Sequence, residues 1–368
     1  MKKHLTHLAA LVLSGAIALS FVGCADTPAE TTTEPAATTT AATTTAQTTT
    51  AENTTTVATT TAQTTTETTT EATTTAEETT TAEETTTAAA AFSAEDIAAH
   101  AELPIWGEGT ECIPNFNSRP RIPVIPSVVP YLVEGSDACV VIYPGGGYYQ
   151  LSWDSEGTAI AKAYNEKGIS AFVVRYRYYP HGASNEILAD GQRAIQFIRY
   201  YAEDFGIDPE KIAVCGFSAG GHLAMVVSQH APTENFAGDA IGEVSSAPNA
   251  CILSYAVTTL VAGSSQSTAQ NFLTAANLNN EEMIAKYSYG HNLAAMPDTF
   301  IWYSTRDTTV DYKMNSEALA AALEAIGTNV KCIAYQDGGH GIGLATTYNQ
   351  ASGWHAASVD FLNAVFAD

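Results

Sequence analysis

Seven short apolar runs punctuate the chain from about residue 128 onward, at 128–133, 138–143, 170–176, 211–215, 250–255, 299–303 and 329–335. Runs this short and this continuously apolar predict strands covered on both faces, because an alternating pattern survives only where one face meets water. Between and after them, apolar positions recur with helical spacing at 156–167, 186–205, 220–230, 315–326 and 353–366. Alternation of the two patterns predicts the α/β class, with a mostly parallel central sheet and helices on both faces. In such sheets ligands bind at the carboxyl ends of the strands, which is where candidate chemistry is sought.

The first quarter of the chain breaks the pattern. Residues 1–24 carry Lys2 and Lys3, an apolar run from about Leu8 to Val22, and then Gly23-Cys24. This reads as an export signal, too short for a comfortable membrane span. Phe21-Val22-Gly23-Cys24 resembles the lipobox of bacterial lipoproteins, which implies that Cys24 is lipidated and tethers the protein to the outer face of the cell membrane. Residues 25–90 collapse to threonine, alanine and glutamate in blocks such as TTTAEETTT. A segment with so little apolar side chain cannot offset its chain entropy and is expected to be a disordered linker, about 45 Å from end to end as a flexible coil. Residues 91–368 are long enough for one large catalytic domain with a single core.

A formal charge of -24 argues against nucleic acid or other polyanionic partners. The six cysteines show no zinc-ligand spacing and no disulfide framework. Cys139, Cys215, Cys251 and Cys332 fall in apolar runs and are expected to be buried, whereas Cys112 sits in a proline-rich segment without an evident role.

The candidate chemistry starts at 211–224, KIAVCGFSAGGHLA. Strand, G-x-S-x-G, then small-residue helix is the pattern of a nucleophile elbow, with Ser218 at its tip. The turn after the 138–143 run, Pro144-Gly145-Gly146-Gly147-Tyr148-Tyr149, can aim consecutive N–H groups at one point, as an oxyanion requires. No Lys-Ser/Thr follows it, so a nucleotide loop is disfavoured. Asp307 lies where the 299–303 strand leaves the sheet, and Asp311 is expected to cap the following helix instead. His340, flanked by glycines after the last strand, is placed to act as a base. His222 lies within the elbow helix and is expected to be a hydrogen-bonded structural residue. His181, His291 and His355 are expected to be ordinary.

These residues carry a resemblance. The stretches PIWGEGT, VVIYPGGGYYQLS, VVRYRYYP, ADGQRAIQFIRYYAEDFGIDPEKIAVCGFSAGGHLA and GGHGIGL resemble an α/β-hydrolase family of bacterial acetyl xylan esterases and feruloyl-type carbohydrate esterases, some of them fused to xylanases. The resemblance implies Ser218 as nucleophile, His340 as base and Asp307 as its orienting acid. It implies backbone donors from Gly146, Gly147 and Ala219. The chemistry of a serine nucleophile with a histidine base needs no metal or organic cofactor. The chain departs from the family pattern at Asp311 and at Tyr303-Ser304-Thr305-Arg306.

The function expected is a surface-anchored serine esterase removing acetyl groups from plant cell-wall polysaccharide. Alternatives are feruloyl release, a peptidase or lipase on the same scaffold, and a non-catalytic carbohydrate-binding module. The segment 257–293 is expected to form a cap, and its Ser264, Ser265, Gln266, Gln270 and Asn271 suit sugar hydroxyls better than a fatty acyl chain. Tyr148 and Tyr149 are candidates for an aromatic wall against a sugar face, with packing against the cap as the other reading.

Overall fold

The computed structural model describes Glu95, Asn235 and residues 98–107, 124–230 and 237–367. All of them fall in one compact unit, Ala82–Asp368. The expected signal and linker, with Cys24 and Cys112, lie outside the described residues.

Eight strands form one sheet: β1 (Leu103–Pro104), β2 (Ser127–Tyr131), β3 (Cys139–Tyr143), β4 (Ser170–Arg175), β5 (Ile212–Phe217), β6 (Ala250–Ser254), β7 (Thr299–Ser304) and β8 (Val330–Tyr335). Their order is β1-β2-β4-β3-β5-β6-β7-β8. Only β1 with β2 and β2 with β4 pair antiparallel, and every other neighbour is parallel. All seven expected strands are present, each end within two residues of its apolar run. β1 was not foreseen, because a two-residue strand carries no periodicity.

The central strands are buried at every position, which is why they read as unbroken apolar runs. Alternate residues feed opposite faces. Cys139, Val141 and Tyr143 of β3 join one core with the helices α2 (Ser184–Tyr200), α4 (Ala219–Gln229), α5 (Gln266–Asn277) and α7 (Ala318–Ala325). Val140 and Ile142 join a second core with α1 (Ala159–Asn165) and α8 (Trp354–Val365). The helices α3 (Ala202–Phe205) and α6 (Glu281–Lys286) are short.

Two departures stand out. The helices expected at 156–167 and 315–326 each begin as a π-helical turn, Trp153–Thr158 and Lys313–Glu317, ahead of α1 and α7. Cys332 is exposed, against expectation: β8 is an edge strand, and most of its residues meet solvent. Cys139, Cys215 and Cys251 are buried, and burial pushes all three thiols up, Cys251 to about 12.

Much of the long 189–224 stretch serves the fold. Arg177 and Asp190 form an ion pair at 2.7 Å with both side chains almost fully buried, and the Trp106 indole donates to the same carboxylate at 2.9 Å. Arg193 donates to the Ile105 carbonyl at 2.7 Å and pairs with Asp239. A buried pair of this kind is strongly destabilising to break because the surviving charge is left unpaired. These contacts clamp 103–107 against α2.

Candidate active site

β5 ends at Phe217, Ser218 takes φ 52°, and α4 starts at Ala219. The reversal needs glycine on both sides. A Cβ on Gly216 would overlap the Gly220 carbonyl, and one on Gly220 would overlap the Tyr143 carbonyl at the end of β3. The unusual serine conformation is held from outside. Its N–H donates to the Ser254 carbonyl at 3.0 Å, and its own carbonyl accepts from His222 and Val257 N–H, both at 3.1 Å.

The loops after β7 and β8 bring two more residues to this turn. His340 Nε2 lies 2.8 Å from Ser218 Oγ, and His340 Nδ1 lies 2.7 Å from Asp307 Oδ2. Because a carboxylate only accepts, Nδ1 carries the proton, which leaves Nε2 free to accept from the serine hydroxyl. Asp307 cannot swing. Its side chain is 2% exposed, and its other oxygen, Oδ1, accepts from Thr309 and Val310 N–H at 2.8 and 3.0 Å. Asp311 instead accepts from Lys313 and Met314 N–H, at the start of the π-helical turn. Arg306 is exposed beside the acid.

Ser218 and His340 open onto a cavity of about 240 Å³ whose wall includes Gly146, Gly147, Ser152 and Glu156. Gly146 and Gly147 take φ 126° and 63°, conformations that a larger side chain would strain. The N–H groups of Gly146, Gly147 and Ala219 meet no acceptor among the described residues. The opposite wall comes from the 257–293 segment, through Ser265, Ser267 and Thr268.

The aromatic-wall reading is corrected for Tyr148. That residue is fully buried: its hydroxyl bonds His222 Nδ1 at 2.9 Å, and its ring packs 4.9 Å from Phe272 of α5. Tyr149 is exposed and is not part of the cavity wall. His222 is a structural residue, as expected. Its Nε2 donates to the Tyr287 carbonyl at 2.8 Å, its Nδ1 accepts from Tyr148, and burial lowers it to about 4. His355 is likewise lowered to about 4 by burial, and His291 stacks on His230.

The 257–293 segment is less available to sugar than its composition suggests. Ser264 donates to the Thr259 and Val261 carbonyls, and Asn271 donates to the Gly147 carbonyl at 2.8 Å. Gln266 and Gln270 are exposed and lie outside the cavity wall. The helices α5 and α6 within this segment were not foreseen.

Sequence reading also passed over Ser152, Glu156, Ser267, Thr268 and Thr309 in the cavity wall. Glu156 stood at the start of an expected helix, where an acid is ordinary. Among the described residues, no group of three or more His, Cys, Asp or Glu side chains is arranged to hold a metal.

Comparison with known proteins matches the BD-FAE family model to residues 129–323. An acetylxylan esterase of Xylanibacter ruminicola is 30% identical over 216 residues, 58% of this chain and 42% of the relative. Endo-1,4-beta-xylanase B of Butyrivibrio fibrisolvens is 28% identical over 256 residues, 68% of this chain and 39% of the relative. The chain thus spans about two-fifths of the length of these curated relatives. A crystal structure of an acetyl ester-xyloside bifunctional hydrolase from Caldicellulosiruptor lactoaceticus superposes with a TM-score of 0.67 at 30% identity, covering 72% of this chain and 96% of that one.

Proposed function

The chain belongs to the BD-FAE family of α/β-hydrolases, and from that premise we propose that it is a serine carboxylesterase that deacetylates plant cell-wall polysaccharide. The observation that carries the reading is the hydrogen-bonded series Ser218–His340–Asp307 beside a small cavity. His340 Nε2 takes the hydroxyl proton as Ser218 Oγ attacks the ester carbonyl. The resulting oxyanion is held by the free N–H groups of Gly146, Gly147 and Ala219. The same proton then passes to the departing sugar alkoxide, which leaves an acyl-serine. Water, deprotonated by His340, attacks that acyl group, and Ser218 recovers its proton as the acid departs. Asp307 holds the imidazole in the tautomer that the first step needs and stabilises the imidazolium.

A cavity of about 240 Å³ lies below the usual size of ligand pockets, roughly 300 Å³ and upward, which favours a short acyl group. The names of the relatives support acetyl and xylan in particular. Residues 1–24 support export and lipid attachment at Cys24, so that the enzyme works on polymers too large to import. Partition of the mature protein into detergent, abolished by Cys24→Ser, is the expected result for that placement.

The test of activity is a panel of acetyl, butyryl, octanoyl and feruloyl esters, with acetylated xylan, on wild type and Ser218→Ala. Wild type is expected to favour acetyl over butyryl by about tenfold or more, the low end of the methylene penalty. Ser218→Ala is expected to lose several orders of magnitude in kcat while keeping its circular dichroism. Comparable octanoyl rates, or feruloyl release faster than acetyl release, would overturn the acetyl assignment. Full activity in Ser218→Ala would overturn the mechanism.

A further inference from the structure

Beneath the glycine loop lies a carboxylate that the reaction as written does not use. Glu156, in the π-helical turn ahead of α1, is 2% exposed, and its two oxygens face different loops. Oε2 accepts the Gly145 N–H at 2.8 Å, and Oε1 accepts the Tyr255 hydroxyl at 2.7 Å. Tyr255 follows β6 directly. Its Oη accepts the Gly343 N–H at 3.0 Å, and its ring stands 5.1 Å from that of His340. Trp354 holds the same Gly343 through its carbonyl at 3.0 Å. One series of hydrogen bonds therefore runs from the loop beside the reacting carbonyl to the loop that carries the base.

The identity of the residue follows from its neighbours. Gly145 N–H can only donate, and the Tyr255 proton points at Glu156 while its oxygen receives Gly343. Two converging donors call for a group that accepts at both ends, and an ionised carboxylate is the side chain that does so. A glutamine there would turn its NH2 toward one of the two donors. Gly145 in turn fits closely over the carboxylate: a Cβ there would come within 2.6 Å of Glu156 Oε2 and of the Phe217 carbonyl. Burial pushes the Glu156 carboxyl up, and the Tyr255 and Gly145 hydrogen bonds and the nearby His340 oppose that shift.

We propose that Glu156 is a positioning residue, one that sets the glycine loop and the histidine loop relative to each other through Gly145 and Tyr255. The inference rests on the esterase reading above. It acts where the transition state is sensitive, since a displacement of about 1 Å in a reacting geometry can cost on the order of a hundredfold in rate.

The test compares wild type, Glu156→Gln, Tyr255→Phe and the double variant of the full chain on p-nitrophenyl acetate. Glu156→Gln is expected to lower kcat by roughly tenfold to a hundredfold with KM within about twofold, because a group that aligns the oxyanion donors acts in the transition state. Tyr255→Phe should lose less, in the same direction, and the double variant should be no slower than Glu156→Gln, as members of one series are not additive. Unchanged kcat in Glu156→Gln, or a double-variant loss equal to the product of the single losses, overturns the inference. If Glu156→Gln does not fold, Tyr255→Phe decides: a kcat loss at constant KM supports the link, and an unchanged kcat sinks it. A wild type inactive on p-nitrophenyl acetate would instead remove the esterase reading on which the inference stands.

Discussion

Between β5 and α4 the chain reverses on glycine, whereas between β6 and β7 it is held by side chains bonded to backbone. At the first turn no side chain would fit against the carbonyls that face Gly216 and Gly220. In the second region, Asn315 accepts from Thr258 and Thr259 N–H, Ser288 receives the Leu260 N–H, and Ser264 bonds two carbonyls of its own loop. Steric exclusion leaves a single geometry, which suits a nucleophile that must not move. Hydroxyl and amide bonds are each worth only about 1 kcal/mol net and can be exchanged singly, which suits the wall that meets substrate.

The largest losses are expected in the catalytic series that the rigid turn serves. Asp307→Asn should keep the fold and lower kcat by about 10³- to 10⁴-fold through the wrong imidazole tautomer. Asp311→Asn should leave kcat within about twofold, since that side chain serves a helix end. Steady-state kinetics on an acetyl ester distinguish them, and a larger loss from Asp311→Asn would reassign the acid.

Gly220→Ala tests the steric argument by its sign. In an ordinary helix, glycine to alanine stabilises by somewhat under about 1 kcal/mol. Here the added methyl meets the Tyr143 and Pro144 carbonyls, and urea unfolding should show a loss of about 1 to 3 kcal/mol or more. A gain in stability would mean that the turn relaxes freely.

Asn271→Ala probes the softer region and should give the smallest effect. Loss of the bond to the Gly147 carbonyl should remove about 1 kcal/mol of stability and lower kcat a few-fold. A rise in KM for acetylated xylo-oligosaccharide with kcat unchanged would sharpen the comparison differently, by showing that the amide faces sugar.

The same contrast explains what is legible in the sequence. Strands β2 to β8, the elbow, and the placing of Asp307 and His340 were all legible, because burial on two faces and glycine at fixed spacing leave few alternatives. Ser264 and Asn271 were not, since an amide that binds a sugar and one that binds a backbone carbonyl look alike in a chain of letters. Glu156 hid for a related reason: an acid in the first turn of a helix is commonplace, and only Gly145 and Tyr255 converging on it make it unusual. For Tyr148 the sequence leaves a sugar-facing wall and packing against the cap equally open, and its φ of 54° belongs to a turn that carries the ring into the core against Phe272.

The series Ser218–His340–Asp307 joins positions 122 and 33 residues apart in the chain. Contacts of such long sequence separation form slowly, since loop closure must come before they contribute. His340 lies in the loop after β8, an edge strand that pairs with β7. Turnover should therefore report a late stage of folding. On dilution from denaturant, helical ellipticity should return first, and ester hydrolysis should follow with the slowest phase.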